Sequence, residues 1–291
     1  MTQLNSSLSA PIFLLGTQRS GTTLLTRILS AHPDIFIQNE LPLETIFTIS
    51  AKNKDIINNI NVHFKTRYKK NIDEYLEYKS KKLWGLKDPQ LTEHLNALEQ
   101  FIPDSKFIII VRDGRGVVNS YIDNKWGLGT NAYTGALRWE REVEQQLAFK
   151  SKYPESCLVI RFEDLIENLE EQLQDICNHL NVKFSPLMLD YHKEKMQYIP
   201  NKQNINTNKA PNKNLANKWQ NTLTDKQIKI INKYAEKMLS KFNYITNKSE
   251  FKLTGVEVFF YKIHQLIIGE IQIQYQLLRI KLKKRKAAFS K

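Results

Sequence analysis

Cysteine is nearly absent: Cys157 and Cys177 are the only two in 291 residues. Two thiols are too few for the disulfide framework that holds small secreted domains together, and they read as small core residues, one opening a strand and one within a helix. Long apolar runs are missing too. The first, Ile12-Phe13-Leu14-Leu15, is short, and the residues before it carry no basic cluster. Neither a signal peptide nor a membrane span is expected, and the default location is cytoplasmic. Internal repeats are lacking, and His, Cys, Asp and Glu do not fall at metal-ligand spacing, so no metal is expected. Acidic charge is in deficit: 30 Asp and Glu against 43 Lys and Arg leave +13. That balance favours partners bearing negative charge, whether nucleic acid, anionic lipid, acidic peptide or a phosphorylated nucleotide, or it is a solubilising basic surface.

The composition, 41% hydrophobic and 25% charged, is that of a globular protein. Strand signals at residues 11–15, 83–86, 106–111 and 157–162 each lead into helical sequence. Phe107-Ile108-Ile109-Ile110-Val111 is the clearest buried run. This alternation predicts an α/β fold, a P-loop-type parallel sheet flanked by helices with ligands at the carboxyl ends of its strands. Residues 45–82 are Lys- and Asn-rich with helical periodicity and no glycine, and read as a helical insertion. Residues 199–217 read as a long loop. A capped helix starts near Thr224-Asp225. The expected organisation is one domain over 1–245, followed over 246–291 by an amphipathic helix and a basic tail.

Gly16-x-x-x-x-Gly21, between a strand and a helix, is a phosphate-binding pattern: backbone N–H groups at a helix start face an anion and the helix dipole favours its charge. A Walker loop would continue with Lys and then Ser or Thr. Here Thr22-Thr23 follow, and the cation stands earlier, at Arg19. A kinase or NTPase reading is weakened accordingly. Further on, the strand 106–111 ends at Arg112, and Ser120 follows two turns into the next helix. An arginine at a strand's carboxyl end offers a planar fork to a second phosphate and the serine a hydroxyl donor; alternatively Arg112 pairs with a carboxylate such as Asp113.

Arg19-Ser20-Gly21-Thr22-Thr23 resembles the 5′-phosphosulfate loop of the sulfotransferase superfamily. The eight-residue interval from Arg112 to Ser120 is similar to that superfamily's 3′-phosphate motif, and Val111-Arg112-Asp113-Gly114-Arg115 resembles the tyrosylprotein sulfotransferase branch. Ala31-His32-Pro33-Asp34 with Glu40 downstream, and Leu86-Lys87-Asp88-Pro89, resemble the same branch. The resemblance implies 3′-phosphoadenosine 5′-phosphosulfate as cofactor, without a metal, and a hydroxyl-bearing acceptor: peptide, glycan, lipid-linked or small molecule. It implies Glu40 as general base, with Lys87 and Arg19 assisting sulfonate transfer. Arg19, Ser20, Gly21, Thr22, Thr23, Arg112, Ser120 and Lys218 would hold the cofactor. Glu40 also reads as a helix-start carboxylate ahead of Leu41-Pro42. Ile160-Arg161-Phe162-Glu163-Asp164 departs from the family by a phenylalanine where a tyrosine is usual. The family's loop serine has no counterpart here; Thr207 is the nearest hydroxyl. His32 reads as structural, bonding backbone. The tail helix reads either as packing on the domain or a second copy, giving a homodimer, or as peripheral attachment to an anionic membrane. A non-catalytic, nucleic-acid-binding basic protein is the remaining alternative class, and no nucleic acid is expected if the resemblance holds.

Overall fold

The computed structural model describes residues 10–48, 52–193, 216–245 and 250–289, with side chains through Leu282 in the last stretch. Five strands, β1 (Ile12–Leu15), β2 (Ile35–Asn39), β3 (Leu83–Lys87), β4 (Lys106–Val111) and β5 (Cys157–Arg161), form one parallel sheet in the order β2-β3-β1-β4-β5. Parallel strands need crossovers, and helices supply them: α1 (Thr22–Ser30) between β1 and β2, then α2 (Leu43–Ile46), α3 (Asn53–Tyr68) and α4 (Ile72–Tyr78) before β3. After β3 come a 3-10 turn (Pro89–His94) and the short α5 (Leu95–Leu98); after β4, α6 (Gly114–Asn124) and α7 (Ala132–Lys152). The helices α8 (Phe162–Glu167) and α9 (Leu169–His179) follow β5, and α10 (Asp225–Tyr234), α11 (Glu236–Lys241) and the long α12 (Gly255–Phe289) close the chain.

The expected α/β class, the helical insertion and the long C-terminal helix are all present. One strand, β2, was not anticipated. Its Ile-Phe-Ile run follows directly on the Ala31–Asp34 turn and leaves no separate strand signal. It pairs with β3 from Ile35↔Leu83 to Asn39↔Lys87. The insertion covers this edge strand: the Phe36 ring meets Tyr75 at 5.0 Å and Phe64 at 6.0 Å, and Tyr68 donates to the Gln38 side chain at 2.9 Å. Buried aromatic edges of this kind add to the area term.

Compactness divides the chain into two units. One gathers everything up to Val111 with Gln145–Asn212 and contains the whole sheet; the other gathers Arg112–Glu144 with Lys213–Lys291. In the first, Phe13 stacks on Phe107 at 5.1 Å and Phe107 meets Phe149 at 5.0 Å, so the core runs through β1 and β4. In the second, Trp139 is fully buried against Gly114, and Tyr133 packs edge-on against Tyr234 at 4.7 Å. Among the described residues no helix is long and apolar enough to cross a membrane.

Candidate active site

In the first unit, β1 runs out into a tight turn. The Ser20 amide and hydroxyl both donate to the Thr17 carbonyl, at 3.1 and 2.7 Å. The residues on either side of Ser20 leave the ordinary backbone regions: Arg19 has φ 73° and Gly21 φ 102°. Gly21 is the N-cap of α1, with no side-chain cap and no acid in the first helical turn. The amides of Thr22 and Thr23 therefore open a helix whose positive end is met by no carboxylate of its own. Thr17 is 1% exposed and its hydroxyl oxygen has no hydrogen-bond partner among the described residues. A positive helix end after Arg19 and a buried hydroxyl lacking a partner among the described residues are features that a phosphate-like anion could satisfy. Phe162, at the start of α8, packs where a Cβ on Gly21 would stand, with its Cε2 at 2.8 Å from that position. Sequence reasoning noted this phenylalanine only as a missing tyrosine; here it is a wall of the turn.

Glu40 and Lys87 meet in the same unit. The β2–β3 register sets Asn39 opposite Lys87, and the Glu40 amide donates to the Lys87 carbonyl at 2.8 Å. Lys87 Nζ then reaches Glu40 Oε1 at 2.9 Å and Thr23 Oγ1 at 3.4 Å. The Lys87 side chain is 1% exposed and that of Glu40 58% exposed. An ammonium so buried is tolerable only with a partner, and the half-exposed carboxylate supplies it. Glu40 adopts φ 44°, a left-handed conformation that costs a non-glycine residue about 1–2 kcal/mol. The helix-start reading of Glu40 gains nothing, because α2 begins later, at Leu43 after Pro42. Next to this pair, burial pushes the Asp88 carboxyl up to about 6, the Glu40 charge adding to the effect while bonds from the Gln90 and Leu41 amides oppose it.

The second anion candidate belongs to the second unit. Asp113 caps α6 by accepting from the Arg115 amide at 2.9 Å and grips the Arg115 guanidinium at 2.7 Å. Asp113 thus serves Arg115. The Arg112 guanidinium lies along Gly116: a Cβ there would stand 3.1 Å from its Nε. Gly116, Ser120 and Asp123 are four and three residues apart, so they share one stripe of α6. Arg112 Nη2 donates to the Ala216 carbonyl at 3.4 Å, and Lys218 Nζ stands 3.4 Å from Asp123. The stripe therefore gathers Arg112, Ser120 and the 216–218 segment on one side of one helix.

His32 bonds backbone as anticipated: Nδ1 accepts from the Asp34 amide at 3.0 Å and Nε2 donates to the Lys183 carbonyl at 2.9 Å. Cys157 and Cys177 are free and buried, and burial raises both thiols, the first to about 11. Among the described residues no three His, Cys, Asp or Glu side chains gather as a metal-binding group. Thr207 and most of the expected loop lie outside the described residues.

The family model described as Sulfotransferase family matches residues 11–186. A putative protein-tyrosine sulfotransferase of Caenorhabditis briggsae is 31% identical over 62% of this chain and 69% of its own length. Protein-tyrosine sulfotransferase 1 of Danio rerio is 27% identical over 63% of this chain, which spans 56% of that relative. Among solved structures, the sulfotransferase domain from the curacin biosynthetic pathway superposes with a TM-score of 0.63 at 21% identity, covering 82% of this chain and 99% of that one, which establishes the fold. The matched span contains the Gly16–Thr23 turn, Glu40, Lys87, Arg112 and Ser120, and the chain belongs to the sulfotransferase family of enzymes, on its protein-tyrosine sulfotransferase branch.

Proposed function

We propose that this chain moves a sulfonate from 3′-phosphoadenosine 5′-phosphosulfate to an acceptor hydroxyl by in-line transfer, with Glu40 as general base. The observation that carries the reading is the link from the buried Lys87 ammonium to the Glu40 carboxylate on one side and to Thr23 of the phosphate turn on the other. When bound, the nucleotide supplies the sulfonate. Glu40 takes the acceptor's proton as the new O–S bond forms, and the S–O bond to the 5′-phosphate breaks. Lys87 and Arg19 carry the charge that grows on the departing phosphate oxygen. The Gly16–Thr23 turn holds the 5′ end; Arg112, Ser120 and Lys218 hold the 3′-phosphate. The work is positioning and electrostatics, as in phosphoryl transfer.

Protein tyrosine is the acceptor favoured by the names of the relatives, with glycans the second class to assay. The two free, buried thiols suit a reducing, cytoplasmic setting. Adenosine 3′,5′-bisphosphate without Mg²⁺ is expected to raise Tm, by the equivalent of about 3 kcal/mol at a hundredfold excess over Kd. Arg112→Ala should lose that shift, and an unchanged shift would remove Arg112 from the site. Stabilisation by ATP with Mg²⁺ instead would return the kinase reading. Glu40→Gln should keep the bisphosphate shift while kcat falls by about 10²–10⁴ with labelled donor and a panel of tyrosine peptides and glycans. Full activity in that variant would refute the base assignment.

A further inference from the structure

The long helix α12 is amphipathic in the inverted sense. Its protein-facing side is largely polar, with Tyr261 stacked on Tyr133 and Ile273 against Gly127 as the apolar contacts. Gln265 accepts from the Thr130 amide at 2.8 Å and donates to the Gly127 carbonyl at 2.7 Å, Gln272 accepts from the Gly127 amide at 3.0 Å, and Gln276 donates to the Lys125 carbonyl at 3.2 Å. Gly269 sits buried between them, against Gly127. Positions 265, 269, 272 and 276 recur every three or four residues, so they are one face. The opposite side is apolar and open to solvent: Phe260 is 64% exposed, Ile267 53%, Ile271 57% and Leu278 54%, with Leu266, 70% exposed, on its flank. One polar pair, Gln274 donating to Glu270 at 2.7 Å, interrupts this stripe. A helix that spends its amides on the protein and offers its aliphatic residues to water is built for a third environment.

We propose that α12 seats the enzyme on an anionic lipid surface, lying in the interface with its apolar side down. Charge selects this occupant. Six cations, Arg279, Lys281, Lys283, Lys284, Arg285 and Lys286, crowd the helix's end, and no acidic residue follows Glu270. Arg279 and Lys281 are exposed. A second copy of the helix offers those cations no match, since its only acids are Glu257 and Glu270 and Lys226 already holds Glu257 at 2.8 Å. An anionic bilayer meets the apolar stripe and the cations together. With about 50 Å of length and no window apolar enough to span, the helix lies on the surface.

The full chain should co-sediment with phosphatidylcholine vesicles containing about one-third phosphatidylglycerol and at least tenfold less with phosphatidylcholine alone. The triple variant Ile267→Ser, Ile271→Ser, Leu278→Ser should keep its Tm and bind at least tenfold more weakly. Arg279→Gln and Lys281→Gln should each weaken binding about fivefold. Absence of vesicle binding by the wild-type chain, or a triple variant that binds as well as wild type, overturns the proposal. So does a wild-type dimer that the triple variant breaks without any vesicle binding, which would assign the stripe to a second copy. None of these readouts depends on sulfonate transfer.

Discussion

The Lys87 side chain is 1% exposed, and what makes this tolerable is a carboxylate 47 residues earlier in the chain. Both residues stand out in the sequence by family resemblance, yet their pairing does not, because it depends on the β2–β3 register that brings Asn39 level with Lys87. Asp88 illustrates the same limit. Lys-Asp-Pro reads as a motif, but only the folded sheet shows its carboxyl buried and raised to about 6. A carboxyl whose folded value lies above its unfolded one binds its proton more tightly when folded. Its contribution is therefore fully present below about pH 4 and is lost as pH rises through about 6. Asp88→Asn keeps an oxygen for the Gln90 amide while removing the titration. Urea midpoints measured from pH 4 to 7 should fall less with rising pH in this variant than in wild type; parallel curves would refute the assignment.

At the scale of elements, the strands legible beforehand were those with an uninterrupted apolar run, above all β4. The edge strand β2 was not, since Ile35-Phe36-Ile37 gains its strand character from β3 on one side and from the aromatic side chains of α3 and α4 above it. The phosphate turn is the opposite case: its glycine spacing is local, so the pattern is visible in sequence. The ring behind it is not. Gly21 has φ 102° and Phe162 in the way of any side chain. Gly21→Ala should therefore cost about 1–3 kcal/mol in urea unfolding and abolish the bisphosphate shift. Adding Phe162→Leu should recover part of the stability, because the two sites are in contact and their effects are coupled. Strict additivity in that double variant would show that the backbone angle alone sets the cost.

For the whole molecule, the amphipathic tail reads in sequence as a segment of its own from about residue 246, and compactness gathers Arg112–Glu144 with Lys213–Lys291 as one unit. That unit joins two segments far apart in the sequence, and so escapes a reading of local composition. The excess of basic charge was visible at once, but its concentration at the end of α12 acquires meaning only from the helix's orientation. That orientation also reverses the usual pattern of mutational tolerance. In a substitution scan read by folding alone, Gln265, Gly269, Gln272 and Gln276 should be the intolerant positions of this segment, each change forfeiting about 1 kcal/mol or more in hydrogen bonding or close approach. Leu266, Ile267, Ile271 and Leu278 should accept serine or lysine with little loss of folding yield. A scan in which the aliphatic positions proved the sensitive ones would contradict this packing. Along the protein-facing side of α12 the hydrogen bonds that specify the fold come from glutamines, and the exposed aliphatic residues are free to answer to selection of another kind.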